Sequence, residues 1–234
     1  MDILGKALMD FQSGNYSEDI ITTSSLNEED ILPLPYLFRS FEEMPVLEQK
    51  ALESCRGTVL DIGCGAGSHS MYLQKKGFDV TAMDQSTGAI AVCKARGIHK
   101  TVSSNFLDYS EDRFGTLLLL MNGIGISGKL KRLPDFLAHA KNLLQPNGQI
   151  ILDSSNIIYM FDQDEDGGHW IPGDVDYYGE VSFQMHYKNE KGAVFDWLYL
   201  DFDTLATYSK TVNLHCEMIS EGEHYDYLAK LSLK

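Results

Sequence analysis

The stretch at residues 59–70 reads Val-Leu-Asp-Ile-Gly-Cys-Gly-Ala-Gly-Ser-His-Ser and predicts a short buried strand, a glycine turn and the start of a helix. Three glycines alternate in the turn, at Gly63, Gly65 and Gly67. A turn without Cβ atoms lets a ligand approach the backbone closely. The free N–H groups at the helix start favour a negatively charged ligand group. The stretch therefore indicates a nucleotide-type cofactor, with an ordinary glycine turn of an α/β protein as the alternative.

The glycine spacing distinguishes two classes of cofactor-binding fold. A dinucleotide fold uses G-x-G-x-x-G, whereas this chain has Asp61-x-Gly63-x-Gly65-x-Gly67, with Ser68 at the position of the third glycine. The run resembles the first motif, D-x-G-x-G-x-G, of the class I S-adenosylmethionine-dependent methyltransferases. The resemblance implies that S-adenosyl-L-methionine is the cofactor and that its methionine end lies at the glycine turn.

Two later positions extend the resemblance toward the ribose and the adenine. Residues 78–83 predict a second strand, and Asp84 at its end can accept hydrogen bonds from both ribose hydroxyls. Capping of the next helix is the alternative for Asp84, although Ser86 is available for that role. Asn105 stands where the family usually has an acidic residue facing the adenine amino group. Its carbonyl can accept the same N–H donor, and the Phe106 N–H can donate to the ring.

The resemblance thus implies one set of cofactor-binding residues along the carboxyl ends of the strands. The set is Arg39, Asp61, Gly63, Cys64, Gly65, Gly67, Asp84, Gln85, Asn105, Phe106, Met121 and Asn122. No catalytic residue is assigned, because methyl transfer from a sulfonium depends mainly on holding two reactants in line. Their order in the chain brings further polar and aromatic residues toward the same edge: His69, Asn122, Asp153, Asn156, Tyr159, His186 and Trp197. For the histidines, a structural hydrogen-bonding role is the favoured interpretation.

Strand and helix patterns alternate after the glycine turn, which predicts a doubly wound parallel sheet. A helix is expected between the fourth and fifth strands, over residues 130–144, and two alternating segments close the chain as an antiparallel pair. We therefore expect a mostly parallel seven-stranded sheet of the Rossmann-like methyltransferase fold. The predicted strands are residues 59–62, 78–83, 101–103, 116–121, 149–153, 214–219 and 225–231.

Residues 1–54 predict an N-terminal helical cap. Ala7 and Phe11 share one helix face, residues 44–54 predict another helix, and residues 12–35 are polar and rich in turn residues. This cap precedes a cofactor-binding core at residues 55–160 and a substrate-side part at residues 161–234. The three parts are expected to form a single domain, because 234 residues suit one core.

An aromatic and basic stretch in the cap leaves two interpretations open. Tyr36 and Phe38 either close over the cofactor or pack the cap onto the core. Arg39 beside them can bind the carboxylate at the methionine end of the cofactor through two parallel hydrogen bonds. Its alternative is an exposed surface pair with Glu42 or Glu43.

The substrate-side part begins with an irregular acidic segment at residues 154–179, for which a solvated loop is favoured over a cation site. The period then changes to two, which predicts an antiparallel hairpin with an aromatic face and a turn at residues 188–192. Trp197 on this hairpin is expected to shape the acceptor pocket. Asp203 is expected to cap a short helix.

Composition excludes several classes of function. The net charge of −15 repels phosphate backbones, which favours a small-molecule substrate over nucleic acid. No apolar run is long enough for a membrane span and no signal peptide is visible. The four cysteines form no metal-binding or disulfide pattern, so we expect no metal and a cytoplasmic location. The oligomeric state is left open.

Three functions remain at this stage. A small-molecule methyltransferase is favoured, and a catalytically silent cofactor-binding or interaction protein on the same fold is the alternative. A dinucleotide-dependent oxidoreductase is disfavoured by Ser68 and by the lack of a recognisable hydride-transfer centre.

Overall fold

Seven strands form the main sheet of the computed structural model, which describes residues 1–171, 173 and 175–233. They are β3 (Val59–Ile62), β4 (Val80–Asp84), β5 (Lys100–Ser103), β6 (Phe114–Leu119), β7 (Leu144–Ser155), β10 (Leu214–Glu221) and β11 (Asp226–Leu233). Their order is β10-β11-β7-β6-β3-β4-β5. Pairing is parallel from β7 through β5, and β11 pairs antiparallel with both β7 and β10. The predicted doubly wound, mostly parallel sheet is confirmed.

Helices cover both faces of this sheet. They are α3 (Val46–Glu53), α4 (Ser68–Lys75), α5 (Thr87–Ala95), α6 (Leu133–Asn142) and α7 (Phe202–Thr211). Successive side chains of β6 point to opposite faces. Leu117 and Leu119 join the core cluster that includes α6 and α7, whereas Leu118 joins the cluster of α3 and α4. A central strand buried on both faces explains why its sequence is a continuous apolar run.

Several predicted element bounds were wrong by a few residues. Strand β6 ends at Leu119 rather than at residue 121, because Met121 and Asn122 adopt left-handed backbone with φ of 60° and 55°. Strand β4 begins at Val80, two residues later than predicted. The helix predicted over residues 130–144 is α-helical only from Leu133. The cap of α7 is Asp201, whose side chain accepts from the Thr204 N–H, and not Asp203.

A second, four-stranded antiparallel sheet joins a hairpin near the N-terminus to a hairpin at residues 180–198, and we name it the small sheet. Its strands are β1 (Ile20–Ser24), β2 (Glu29–Leu32), β8 (Glu180–Tyr187) and β9 (Glu190–Leu198), in the order β2-β1-β8-β9. The predicted C-terminal hairpin is therefore present, with a turn at residues 188–189 rather than 188–192. The N-terminal cap contains the predicted helices, but it also contains two strands that the sequence analysis did not predict. Residues 20–32 form a hairpin between α1 (Ile3–Gln12) and α2 (Leu34–Leu37).

The segment predicted as irregular, residues 154–179, starts later than expected because β7 continues to Ser155. Positions 172 and 174 of this prediction lie outside the described residues. Within residues 1–171, 173 and 175–233, no helix is both long and apolar enough to cross a membrane.

Candidate functional site

Two adjoining cavities lie between the carboxyl edge of the parallel strands and the small sheet. The larger cavity, about 550 Å³, is bordered by the ends of β3 and β4, the segment after β5 and the start of α1. The smaller cavity, about 360 Å³, is bordered by the glycine turn, the end of β6 and one face of the small sheet. Ile62, Gly63, Met185, Phe195 and Trp197 line both cavities. In open α/β sheets, this edge is where ligands bind.

Ten of the twelve residues in the expected cofactor set line these cavities. Gly63 borders both, and Asp84, Gln85, Asn105 and Phe106 border the larger cavity. The members that border only the smaller cavity are Arg39, Asp61, Cys64, Gly65 and Met121. Gly67 and Asn122 do not line either cavity among the residues described. The sequence motif therefore places most of the expected set along one continuous groove.

The glycine turn leaves open space at Gly65 and none at Gly67. Both residues have positive φ, at 52° and 79°. A Cβ built on Gly65 would meet no protein atom within 4 Å, whereas a Cβ on Gly67 would lie 2.4 Å from Ile98 Cδ1 and 2.8 Å from Cys93 Sγ. Gly67 is thus required by packing. Gly65 borders the smaller cavity, so its missing side chain leaves the groove accessible to a ligand.

Asp84 is buried at the end of β4 and already accepts two backbone hydrogen bonds. Its Oδ2 accepts from the Gly65 N–H at 3.0 Å, and its Oδ1 accepts from the Ser86 N–H at 2.8 Å. Burial nonetheless raises the pKa of Asp84 above its usual range. Each carboxylate oxygen has a second acceptor site, so capacity remains for ribose hydroxyls. The helix-cap alternative for Asp84 was wrong: Ser86 caps α5, with its hydroxyl accepting from the Ala89 N–H.

Asn105 and Phe106, which were expected to face the adenine, border the larger cavity. The Asn105 side-chain carbonyl accepts from the Leu107 N–H at 2.9 Å, which fixes its orientation and leaves one acceptor site on that oxygen. The Phe106 ring is buried against Phe136, and its backbone carbonyl accepts from His139 Nε2 at 2.9 Å. Each residue is therefore held at the edge of the cavity by one hydrogen bond.

Arg39 belongs to a buried charged cluster at the opposite end of the groove. Only 6% of Arg39 is exposed, and its guanidinium forms an ion pair with Glu48. Glu48 also accepts from His69 Nε2 at 2.8 Å, and the Arg39 guanidinium lies 3.8 Å from the centre of the Tyr36 ring. The surface pairing of Arg39 with Glu42 or Glu43 was therefore wrong. Sequence reasoning missed Glu48, because nothing in its local pattern connects it to residues 9 and 21 positions away.

The charges in this cluster are balanced locally. Burial alone would raise the pKa of Glu48, but the hydrogen bonds and charges of His69 and Arg39 outweigh it and lower that pKa below its usual range. Arg39 Nε is buried and has no hydrogen-bond partner among the described residues. Arg39 and His69 both line the smaller cavity.

A second acidic group lies close to this cluster. Asp153, near the end of β7, accepts from the Asn122 N–H at 2.9 Å. Burial, together with the negative charge of Glu48, raises the pKa of Asp153 from 3.8 to about 7. The left-handed backbone of Met121 and Asn122 directly follows β6, and such strained conformations cluster at functional sites.

The remaining residues expected at this edge are not all brought together. Trp197 lines both cavities, and its indole lies so close to Gly125 that a Cβ there would be 2.1 Å from Nε1. Asn156 accepts from the Tyr178 hydroxyl, and Tyr159 is exposed and stacks on Tyr225. Asn156, Tyr159 and His186 are not among the described residues that line the two cavities.

Asp2 is a further cavity residue that the sequence analysis did not assign. Its Oδ1 accepts from the Gly5 N–H, and its Oδ2 accepts from the Ser86 hydroxyl and the Gly88 N–H. Asp2 therefore caps α1 and ties it to the start of α5 beside Asp84. The signal available in the sequence was an Asp directly before an amphipathic helix.

Comparisons with known proteins agree with this arrangement. A family model described as a methyltransferase domain matches residues 59–148. The chain is also 43% identical to a SAM-dependent methyltransferase from Bacteroides fragilis whose crystal structure was solved in complex with S-adenosyl-L-homocysteine. That match covers 99% of this chain and 94% of the other chain, with a TM-score of 0.91.

Two more distant relatives share part of the chain or only its fold. A ubiquinone biosynthesis O-methyltransferase from Pasteurella multocida is 29% identical over 111 residues, which are 42% of this chain and 46% of that protein. The match thus spans less than half the length of this curated relative. The methyltransferase CcbJ from Streptomyces caelestis is 14% identical, with 83% of this chain and 95% of that chain covered and a TM-score of 0.63. At that identity, only the fold is shown to be shared.

The near full-length match shows the family. This chain belongs to the S-adenosylmethionine-dependent methyltransferases of the class I fold, the enzymes that take their methyl group from S-adenosylmethionine. The expected class of enzyme and its cofactor are thereby confirmed, and the dinucleotide-dependent oxidoreductase was wrong.

Proposed function

We propose that this chain methylates a small-molecule acceptor by direct in-line transfer from S-adenosylmethionine. The observation that carries the proposal is the pair of adjoining cavities. The residues of the cofactor motif lie along one side of the groove, and the opposite side is walled by apolar and aromatic side chains of the small sheet. The net charge of −15 further supports a small molecule over a nucleic acid.

The cofactor set divides naturally along the groove. In this proposal Asp84 binds the ribose hydroxyls, Asn105 and Phe106 hold the adenine, and Gly65 provides the close backbone approach. Arg39 binds the carboxylate of the methionine end, because Arg39 lines the smaller cavity together with the glycine turn. The open space at Gly65 supports the fit of the cofactor, because a side chain at that position would stand in the groove.

The bound cofactor supplies an activated methyl group, so the protein's main task is positioning. The hydrogen bonds of Asp84 and the Arg39–Glu48 ion pair fix the positions of these side chains along the groove. The small sheet covers the groove and shields it from water, with Phe195 and Trp197 lying over the junction of the two cavities. Because the small sheet combines residues 20–32 with residues 180–198, we propose that the first and third parts of the single domain form the acceptor side together.

The proposal is tested by incubating the protein with methyl-labelled S-adenosylmethionine and a fractionated small-molecule metabolite extract. We expect a labelled product in at least one fraction, formed by the wild type and not by Gly65→Val. A protein that binds S-adenosylhomocysteine yet labels nothing in any fraction would instead support the catalytically silent alternative.

A further inference from the structure

One face of the small sheet combines aromatic walls with a single uncompensated carboxylate. Phe183 on β8 lies 6.1 Å from Phe195 on β9 and 6.4 Å from Tyr199, measured between ring centroids. Phe195 meets Trp197 edge to face at 6.2 Å. All four rings line the smaller cavity. Aromatic rings present a negative face, which attracts cations as well as apolar groups.

Asp30 supplies the negative charge on this face. The β-sheet register places Asp30 opposite Thr22, and Thr22 opposite Met185, so the three form one row across β2, β1 and β8. All three line the smaller cavity. Burial is the main cause of the raised pKa of Tyr199, Tyr159 is the second and the carboxylate of Asp30 is the third. The negative charge of Asp30 therefore acts on the aromatic wall.

The other charged groups of the smaller cavity are ion-paired or hydrogen-bonded within the protein. Arg39 is paired with Glu48, and the buried Asp61 accepts from the Ser70 hydroxyl at 2.6 Å below the glycine turn. Asp30 forms no ion pair with any of the described residues. The face of the small sheet that lines the smaller cavity therefore has aromatic rings and one free negative charge. Among the described residues, it offers no free cation to an anionic acceptor.

We propose that the methyl acceptor is an amine on a largely apolar molecule, held as its ammonium between the aromatic wall and Asp30. This inference rests on the proposed function and specifies its substrate class. Before transfer the ammonium loses one proton to bulk water at the exposed Asp30 end. The nitrogen lone pair then forms the new N–C bond as the C–S bond breaks, with the electron pair of that bond remaining on sulfur.

The test measures binding of benzyltrimethylammonium to the protein saturated with S-adenosylhomocysteine, with quenching of Trp197 fluorescence as the readout. The background carries Trp170→Phe, since Trp170 is the other tryptophan and is 73% exposed in a loop that does not border the described cavities. We expect the ammonium to bind more tightly than benzyl alcohol or phenylacetate. Asp30→Asn should weaken ammonium binding about three- to tenfold, in line with the size of a cation site of this kind.

The matched control is Glu29→Gln, the neighbouring carboxylate on β2, which does not line either cavity as described. We expect it to leave ammonium binding unchanged. Asp30→Asn should fold normally, because an Asn carbonyl can keep the hydrogen bond that Asp30 Oδ1 accepts from the Ile31 N–H.

Three results would overturn the inference: equal or tighter binding of the alcohol or the carboxylate, no binding of the ammonium at millimolar concentration, or no effect of Asp30→Asn. Calorimetry of S-adenosylhomocysteine in the same samples separates this failure from failure of the proposed function. If S-adenosylhomocysteine binds and the ammonium does not, only the amine assignment is lost.

Discussion

The guanidinium of Arg39 forms a buried ion pair with the carboxylate of Glu48, at the end of the groove next to the glycine turn. Glu48 in turn holds His69, so two side chains of the smaller cavity depend on one carboxylate. Substituting either partner of such a pair destabilises the folded protein, because the remaining charge is left buried and uncompensated. The pair therefore fixes the direction of the guanidinium before any ligand arrives.

Arg39→Lys should lower the affinity for S-adenosylhomocysteine about three- to tenfold, because an ammonium cannot reproduce the planar, two-bond geometry of a guanidinium. Calorimetry is the measurement. The control ligand is methylthioadenosine, which lacks the carboxylate and should bind both proteins equally. Unchanged affinity for S-adenosylhomocysteine in both Arg39→Lys and Arg39→Ala would show that the pair with Glu48 is purely structural.

Gly65 and Gly67 should respond differently to the same substitution. Gly65→Ala places its Cβ in open space in the groove and should weaken S-adenosylhomocysteine binding. Its cost in stability should be only the strain of an alanine at positive φ, about 1 kcal/mol. Gly67→Ala forces a Cβ against Ile98 and Cys93 and should destabilise the fold by about 1–3 kcal/mol. Thermal melts with and without ligand measure both effects. Equal losses of stability in the two variants would contradict the assigned roles.

The pKa of Asp153, raised to about 7, predicts a pH-dependent stability. A carboxyl with a raised folded pKa stabilises the native state fully below its unfolded pKa, and that contribution is lost as the pH rises through the folded pKa. Asp153→Asn should therefore gain stability relative to the wild type between about pH 4 and pH 7, by about 1–4 kcal/mol at the upper end. Denaturant melts across this pH range measure the free energy of unfolding of both proteins. A difference in that free energy that stays constant with pH would contradict the assignment.

Trp197→Ala should impair acceptor use more than cofactor binding. The indole lies over the junction of the cavities against Gly125, so its loss removes apolar contact on the acceptor side. We expect kcat/KM for an acceptor that the wild type methylates to fall about tenfold or more. Burying an aromatic side chain contributes roughly 1.5–3 kcal/mol, and about 1.4 kcal/mol corresponds to a factor of ten. The affinity for S-adenosylhomocysteine should stay within about threefold. Trp170→Ala, in the exposed loop, is the matched control, and equal effects of the two changes would assign Trp197 to packing alone.

The local motifs of the chain were sufficient to predict the strands and the glycine turn that border the groove. Strand β3, the glycine turn and α4 follow one another within residues 59–75, so their signals are contiguous. Asp84 could be placed at a strand end for the same reason. In each case short-range patterns of apolar residues and glycines determine the backbone directly.

The small sheet, the proposed acceptor side, depends on contacts between distant parts of the chain and could not be predicted this way. The hairpin at residues 20–32 pairs with β8, so that Thr22 faces Met185 across more than 160 positions of sequence. Residues 12–35 contain only a short apolar run, and the partner strand, not local propensity, makes them part of a sheet. The Arg39–Glu48–His69 cluster likewise has no spacing that a single sequence reveals.

The most direct test of the account is calorimetric titration of the wild type and Asp84→Ala with S-adenosylhomocysteine, with NAD as the competing ligand class. We predict that S-adenosylhomocysteine binds the wild type with one site per chain and that NAD does not bind. Asp84→Ala should lose about 1–3 kcal/mol of binding free energy, because the charge-assisted hydrogen bonds of the carboxylate are missing. Absence of S-adenosylhomocysteine binding in the wild type, or an unchanged affinity in both Asp84→Ala and Gly65→Val, would contradict the cofactor site described for this groove.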